Sequence, residues 1–381
     1  VDAVFGCLFF KDMSIEQRKL KRILKQLKTL TTKITSREMC MSDLTIKRRS
    51  LLKSVSMAAV GGQALLRTGN LQAAVDEATR SVESWPQMEY RELGKTGFQG
   101  SRLVFGCGAA LSNGQANDLL EPALASGINV FDVGFRSYYR DAEMNLAPFL
   151  KKHQDEIFLI SKAIAGDISA EDELSVAEAK TAANNWLKAL DASLSELQVD
   201  HVDAYYLMAA NNVSLIRSEE IQMAFDEART TGKASHFGIS THENAEQVLL
   251  AAADTGWYSL AQIAITPAGW YDFANKDILA GSKNMQELQP VLAAARKAGI
   301  GLIGMKAGRH LAGRKWFGWG SPNAYDGYYD ENVMSASLTA FQRSYAYVLA
   351  NGLDAVNADM QIWQHMRENF AAATSAQTYF V

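Results

Sequence analysis

Apolar runs of strand length alternate with longer stretches of helical periodicity over the last three quarters of the chain. The runs fall at Leu103–Gly106, Asn129–Asp132, Ile157–Lys162, Val202–Met208, Ala234–Ser240, Leu260–Thr266, Gly301–Lys306 and Ala355–Asn357. Such short, nearly continuous apolar runs predict strands covered on both faces. Between them, Asp118–Ser126, Lys180–Leu197, Glu219–Thr231, Ala245–Thr255, Met285–Ala298 and Ser335–Ala350 place apolar residues at steps of three and four, and a last helix is predicted over Gln361–Ala373. Met88–Arg102 reads as a hairpin ahead of the first run. Strand and helix in strict alternation imply parallel strands joined by crossover helices. Eight units within residues 86–381 fit an α/β fold of the closed (β/α)8 TIM-barrel kind better than an open sheet. A dinucleotide fold of the open-sheet type is disfavoured, because Phe105-Gly106-Cys107-Gly108 after the first run lacks the third glycine of G-x-G-x-x-G.

The first 85 residues follow a different pattern and predict a non-globular N-terminal extension. Residues 42–66, SDLTIKRRSLLKSVSMAAVGGQALL, carry a basic block followed by a mild apolar block broken by Gly61 and Gly62. That block is too short and too weakly apolar for a bilayer span, which needs about 20 residues. The order is that of an export signal, and Arg48-Arg49 followed by Ser50-Leu51-Leu52-Lys53 resembles the twin-arginine type, with Lys47 in place of the usual Ser/Thr. The expected organisation is an upstream extension at 1–40, a start of synthesis at Met41, a twin-arginine-like signal and linker at 41–85, and the barrel at 86–381. On this reading the chain meets the twin-arginine translocase and is exported, to the periplasm in a Gram-negative host; the alternative is a cytoplasmic protein. A rival for the first segment is a basic amphipathic helix through Leu20, Leu24, Leu27, Leu30 and Ile34.

Charge sharpens the division. The chain has 38 Lys+Arg and 42 Asp+Glu; residues 1–85 hold 15 and 8 of these, leaving 23 and 34 and a net charge of −11 for residues 86–381. The barrel is therefore a poor ligand for nucleic acid or anionic membranes. The three cysteines, Cys7, Cys40 and Cys107, form no C-x-x-C pair and no metal-ligand spacing.

Barrel chemistry sits where the strands end. Asp132, Lys162, Met208, Ser240, Thr266, Lys306 and Asn357 fall there, and a carboxylate and an ammonium closing two apolar strands are costly to bury unless paired, which marks Asp132 and Lys162. These residues stand in segments similar to the aldo/keto reductase family: MEYRELGKTGFQGSRLVFGCG (Met88–Gly108), Asn129–Asp132, Phe158–Lys162, Val202–Leu207, Phe237–His242 and Gly301–Lys306, in the family's order. The resemblance covers about residues 88–375 and implies the same barrel, reducing aldehydes or ketones with NADPH or NADH.

The resemblance also implies roles. Asp132 and Lys162 match two catalytic positions, with Lys162 expected to ease release of a tyrosine proton and Asp132 to hold Lys162. The tyrosine falls at Ser137 in the family register; Tyr138 and Tyr139 follow, and a one-residue shift makes Tyr138 the proton donor. The family's histidine is replaced by Met208, which neither donates a hydrogen bond nor relays a proton. His242 and His310 are substitutes in principle, with a surface role the plainer expectation. Ser240, Thr241 and Gln262 occupy the nicotinamide-carboxamide positions, and Ile265 that of a stacking aromatic ring. Lys306, Arg309, His310 and Arg314 cluster where barrels grip phosphate, opposed by Asp359. The loop Trp316–Tyr329 is rich in aromatic residues and reads as a lid or as packing on its own barrel. No His/Asp/Glu cluster suits a metal-dependent hydrolase, so no metal is expected. Two functions follow: a carbonyl-reducing oxidoreductase, or a catalytically degenerate barrel that binds a small molecule or protein, favoured by Ser137, Met208, Ile265 and Asp359.

Overall fold

A computed structural model describes Val82, residues 85–312 and residues 320–379. The upstream extension, the export signal and most of the linker lie outside the described residues, as do Arg314, Trp316, Phe317, Gly318 and Trp319.

The chain enters through an antiparallel hairpin of β1 (Tyr90–Glu92) and β2 (Gln99–Ser101), with Tyr90 opposite Ser101. Eight parallel strands then form the barrel. They are β3 (Leu103–Gly106), β4 (Val130–Asp132), β5 (Phe158–Ala163), β6 (Val202–Met208), β7 (Ala234–Thr241) and β8 (Leu260–Thr266), then, after a short hairpin of β9 (Gly269–Asp272) and β10 (Asp277–Ile278), β11 (Gly301–Met305) and β12 (Ala355–Asp359). Each barrel strand pairs with the next, and β12 returns to β3 with Val356 opposite Leu103, so the barrel has no free edge.

Alternation along the strands sorts the residues into two layers. Inward, Val104, Val130, Phe158, Ile160, Ala204, Tyr206, Leu260, Ile303 and Ala355 fill the barrel, and Leu93 and Phe98 of the hairpin plug one end. Outward, Phe105, Phe131, Leu159, Tyr205, Phe237, Ile239 and Ile263 pack beneath the helices. Gly238 is required by the first layer, since a Cβ there would run into the ring of Tyr206.

The helices are α1 (Cys107–Leu111), α2 (Leu120–Ala125), α3 (Arg136–Tyr139), α4 (Ala142–His153), α5 (Val176–Leu197), α6 (Val213–Ile216), α7 (Glu219–Thr230), α8 (Ala245–Thr255), α9 (Gln289–Lys297), α10 (Glu331–Ser335), α11 (Ala340–Ala350) and α12 (Trp363–Tyr379). α5 shows how sequence sets them. Ser175 caps Glu178 N and the Glu178 carboxylate returns to Ser175 N, a reciprocal cap that satisfies two exposed donors. Ala179, Ala183, Trp186, Leu190, Leu194 and Leu197 then recur on the buried face. Trp186 donates its indole N–H to Tyr206 O at 3.1 Å and packs its ring on Tyr205 and Phe237. Against expectation, α5 starts four residues early, at its cap, and the helix expected from Ser335 begins only at Ala340, because α10 ends at Ser335, the backbone is extended at Ala336, and a second reciprocal cap, Thr339 with Gln342, starts α11.

Candidate active site

Asp132 ends β4 and Lys162 lies one residue from the end of β5, both facing inward at the C-terminal mouth and both almost fully buried. The Lys162 ammonium donates to Asp132 Oδ1 at 2.6 Å, to Asp132 Oδ2 at 2.5 Å and to Val133 O at 2.7 Å. Asn357, on β12, donates its amide to Asp132 Oδ2 at 2.5 Å. The two Asp132 oxygens lie too close together to take separate N–H bonds of one ammonium, so the carboxylate and Val133 O engage two of its three N–H bonds.

These groups form the floor of a cleft of about 400 Å³, lined also by Tyr138, Tyr139, Ser240, His242, Gln262, Lys306, Arg309, Phe341, Tyr345 and Asp359. Asp132, Tyr138, Lys162, Ser240, Gln262, Lys306 and Arg309 are thus brought together as the sequence predicts. Thr241 is not among the lining residues. Ser240 faces the cleft, so the next residue along the strand faces outward, where the Thr241 hydroxyl contacts Asn211 Oδ1 at 3.0 Å and donates to Glu243 O at 2.7 Å. Ile265 likewise belongs to the outer layer and offers no surface to a nicotinamide ring.

The two tyrosines divide the mouth between them. The turn of helix α3 ends at Arg140, whose φ of 56° reverses the chain. Tyr139 is turned inward: Cβ atoms built on Gly108 or Gly134 would strike its ring, and the Lys162 ammonium lies 5.5 Å from the ring centroid. Tyr138 stands on the rim, 48% exposed, edge-on to Tyr139 at 4.8 Å. Burial raises the Tyr139 pKa above that of a free phenol, and Asp132 raises it further. Lys162 was expected to lower a tyrosine pKa, but for Tyr139 burial prevails, because the charge of Lys162 is answered at contact by Asp132.

The ring of His242 lies tilted by 41° against Phe273 of the β9–β10 hairpin, 4.6 Å between centroids, and the Lys306 ammonium lies 5.5 Å from the same Phe273 ring. Burial, then Lys306 and Lys162, lower the His242 pKa to about 3, so the imidazole is neutral at pH 7. Burial also lowers the pKa of Lys306, against an opposing pull from Asp359. Lys306 holds a left-handed backbone, φ 68°, unusual for a residue with a side chain and a mark of a constrained mouth. Gln262 is 4% exposed and its Oε1 has no partner among the described residues.

The remaining candidates lie elsewhere. His310 pairs with Asp277 at 3.1 Å, outside the cleft. In the described part of the aromatic loop, Tyr325 is buried against Ala268 and Leu311 and Tyr329 packs edge-on to Tyr347, so these residues cover their own barrel. Met208 is buried at the end of β6, where a thioether replaces any hydrogen-bond donor. Sequence reasoning gave no role to Asn357 or Phe273. Asn357 carried a signal, as a polar residue closing an apolar strand. Phe273 carried none, since its hairpin was unforeseen.

An eight-stranded parallel barrel with a buried carboxylate–ammonium pair and a tyrosine at its C-terminal mouth defines the class of this molecule. The sequence matches the Aldo/keto reductase family over residues 97–309, more than half of the chain, and the protein belongs to that family. Two solved structures from Pseudomonas aeruginosa, each described as a putative aldo-keto reductase, are similar in fold: both have a TM-score of 0.52, at 19% and 18% identity, over 76% of this chain and 96% and 95% of theirs.

Proposed function

We propose that this protein is an oxidoreductase that reduces an aldehyde or ketone to the alcohol with NADPH or NADH. The observation that carries the reading is the buried Asp132–Lys162 pair at the barrel mouth with Tyr139 beside it. Tyr139 is the proton donor in preference to Tyr138, because it is the phenol turned toward the pair. The phenol is protonated through neutral pH, the state an acid needs, while its burial makes it a weaker proton donor than a free phenol. Lys162 and Asp132 then act together as a fixed dipole that orients the mouth.

The cleft fits a nicotinamide by one specific feature. The orphaned Gln262 Oε1 is an acceptor awaiting an N–H donor such as a carboxamide, with Ser240 beside it on β7 in register. Lys306 and Arg309 line the same cleft and suit phosphate oxygens, with Asp359 opposing them. The chemistry such a cofactor supplies when bound is a hydride. Saturable quenching or transfer of NADPH or NADH fluorescence on titration into the full chain, weakened about tenfold or more by Gln262→Ala and by Lys306→Ala, supports this reading. No binding of either nucleotide at millimolar concentration would refute it.

A degenerate barrel that only binds a ligand is the second reading, favoured by Met208, a buried thioether at the end of β6. We further propose export through the twin-arginine route, on the strength of Arg48-Arg49 and the mild apolar block after it. Such a route carries folded proteins and so permits a bound cofactor to travel with the chain.

A further inference from the structure

We infer that an alkali cation, sodium or potassium, is held outside the barrel wall between α4, β5, α5 and β6 by oxygens of Glu143, Ser161, Ser193, Glu196 and Tyr205. Glu143 lies in the first turn of α4, Ser161 on β5, Tyr205 on the outer face of β6, and Ser193 and Glu196 near the end of α5. Glu143, Ser161, Ser193 and Tyr205 are each 1% exposed or less. Ser161 donates its hydroxyl to Glu143 Oε1 at 2.7 Å. Ser193 sits near enough to the Glu143 carboxyl and the Tyr205 phenol to lower the pKa of each against burial, while Glu196 raises that of Glu143. Yet Ser193 Oγ, Glu196 Oε2 and Tyr205 Oη are all buried with no hydrogen-bond partner among the described residues. Unpaired buried oxygens from three residues, gathered beside one buried carboxyl, are the signature of a small ligand.

Charge selects the ligand. The other charged groups around the space are Lys162 from β5, Arg136 from α3 and Asp191 from α5. Lys162 is matched by Asp132, and Asp191 by Lys233 at 2.6 Å. Arg136 meets Glu196 Oε1 at 3.3 Å and the exposed, water-solvated Asp141 at 2.8 Å. With Glu143 ionised, one negative charge is left over, which calls for one positive charge and not two. All five donors are hard oxygens, the set such an ion takes. A proton on Glu143 removes the charge and leaves the three oxygens unpaired; a water pairs the oxygens and leaves the charge. An alkali cation answers both, and where none is supplied the buried carboxyl keeps its proton. The rival filling is a proton and a water together, which differs in being indifferent to sodium and potassium. In the sequence the site is invisible, because three of its five donors are hydroxyls. Bound there, the ion ties α4 to α5 directly behind Ser161, the neighbour of Lys162.

The test is thermal unfolding of the full-length protein at mildly alkaline pH and constant ionic strength, with choline chloride replaced stepwise by sodium chloride or potassium chloride, in wild type, Glu143→Gln, Ser193→Ala and Tyr205→Phe. The wild-type Tm is expected to rise saturably with at least one of the two ions, by about 3 °C or more at saturation. Glu143→Gln, which removes the charge and keeps the shape, should abolish the rise. Ser193→Ala and Tyr205→Phe should each move the midpoint of the rise to an ion concentration about fivefold higher or more. A wild-type Tm that agrees within about 1 °C in choline, sodium and potassium would favour the proton and water and overturn the inference. A rise that Glu143→Gln keeps in full would put the ion elsewhere and overturn it as well. Should Glu143→Gln fail to fold, Ser193→Ala and Tyr205→Phe decide: an unmoved midpoint in both overturns the inference. None of these outcomes bears on the reductase reading, which concerns the other side of the barrel wall.

Discussion

At Asp132 and Lys162 the decisive fact is burial. Both side chains are withdrawn from water, so each charge depends on the other and on Asn357 for compensation. Lys162→Met is expected to destabilise the fold by about 3–5 kcal/mol, because it strands a buried carboxylate, and adding Asp132→Asn should recover much of that loss. Urea denaturation of the two variants measures it; equal stability of the single and double variants would contradict the account. Glu143 on α4 raises the opposite issue. It is buried, accepts a hydrogen bond from Ser161 Oγ at 2.7 Å, and burial raises its pKa. A carboxyl whose folded pKa is raised binds its proton more tightly folded than unfolded. Its contribution is full below the usual carboxylate range near about 4.3 and is lost as pH rises through the folded value. Glu143→Gln should therefore flatten the fall in urea midpoint on the alkaline side of that range, and an unchanged slope would count against it. Asp132 and Lys162 were legible in the sequence because charge at the end of an apolar strand is conspicuous. That Tyr139 and not Tyr138 is turned inward was not, since one helical turn and the reversal at Arg140 decide it. Thr241 was assigned to the cleft although strand alternation, a signal present in the sequence, turns it away once Ser240 faces in.

Among the elements, strands were readable to within a residue or two because hydrophobic runs with both faces covered have few other interpretations. α4 escaped notice because Pro148 sits inside it and reads as a breaker. The β9–β10 hairpin escaped because it interrupts a strand–helix unit with only two short strands, yet it sets Phe273 against His242 and Lys306. The barrel closes through a clamp that neither layer explains. Arg102, fully buried between β2 and β3, donates to Leu349 O at 2.6 Å, Leu353 O at 3.1 Å and Asp354 O at 3.4 Å, tying the first barrel strand to the turn after α11. Arg102→Leu leaves these carbonyls without their donor and should cost on the order of 3 kcal/mol. Thermal unfolding within 1 °C of wild type would show that the clamp is dispensable.

For the whole molecule, the eightfold alternation was sufficient to define the closed barrel, because parallel strands with right-handed crossovers and no free edge leave little topological choice. What sequence alone left open was how the mouth is filled: which phenol meets Lys162, which histidine meets the cleft, and which acceptor is orphaned. These depend on side chains from five different strands and two loops converging in space. A reporter fused to residues 41–85 is expected to leave the cytoplasm in a twin-arginine-competent host and to stay inside when Arg48 and Arg49 are both replaced by Lys. Export of that double variant at the wild-type level would contradict the proposed route.

The reductase reading is tested most directly by single-turnover reduction of an aldehyde by the full-length protein loaded with NADPH, followed at the nicotinamide absorbance, in wild type, Tyr139→Phe and Tyr138→Phe. The account predicts turnover in wild type, a loss of about 100-fold or more in Tyr139→Phe, and a change within about threefold in Tyr138→Phe. Wild-type rates in Tyr139→Phe, or no turnover in any of the three, would contradict it.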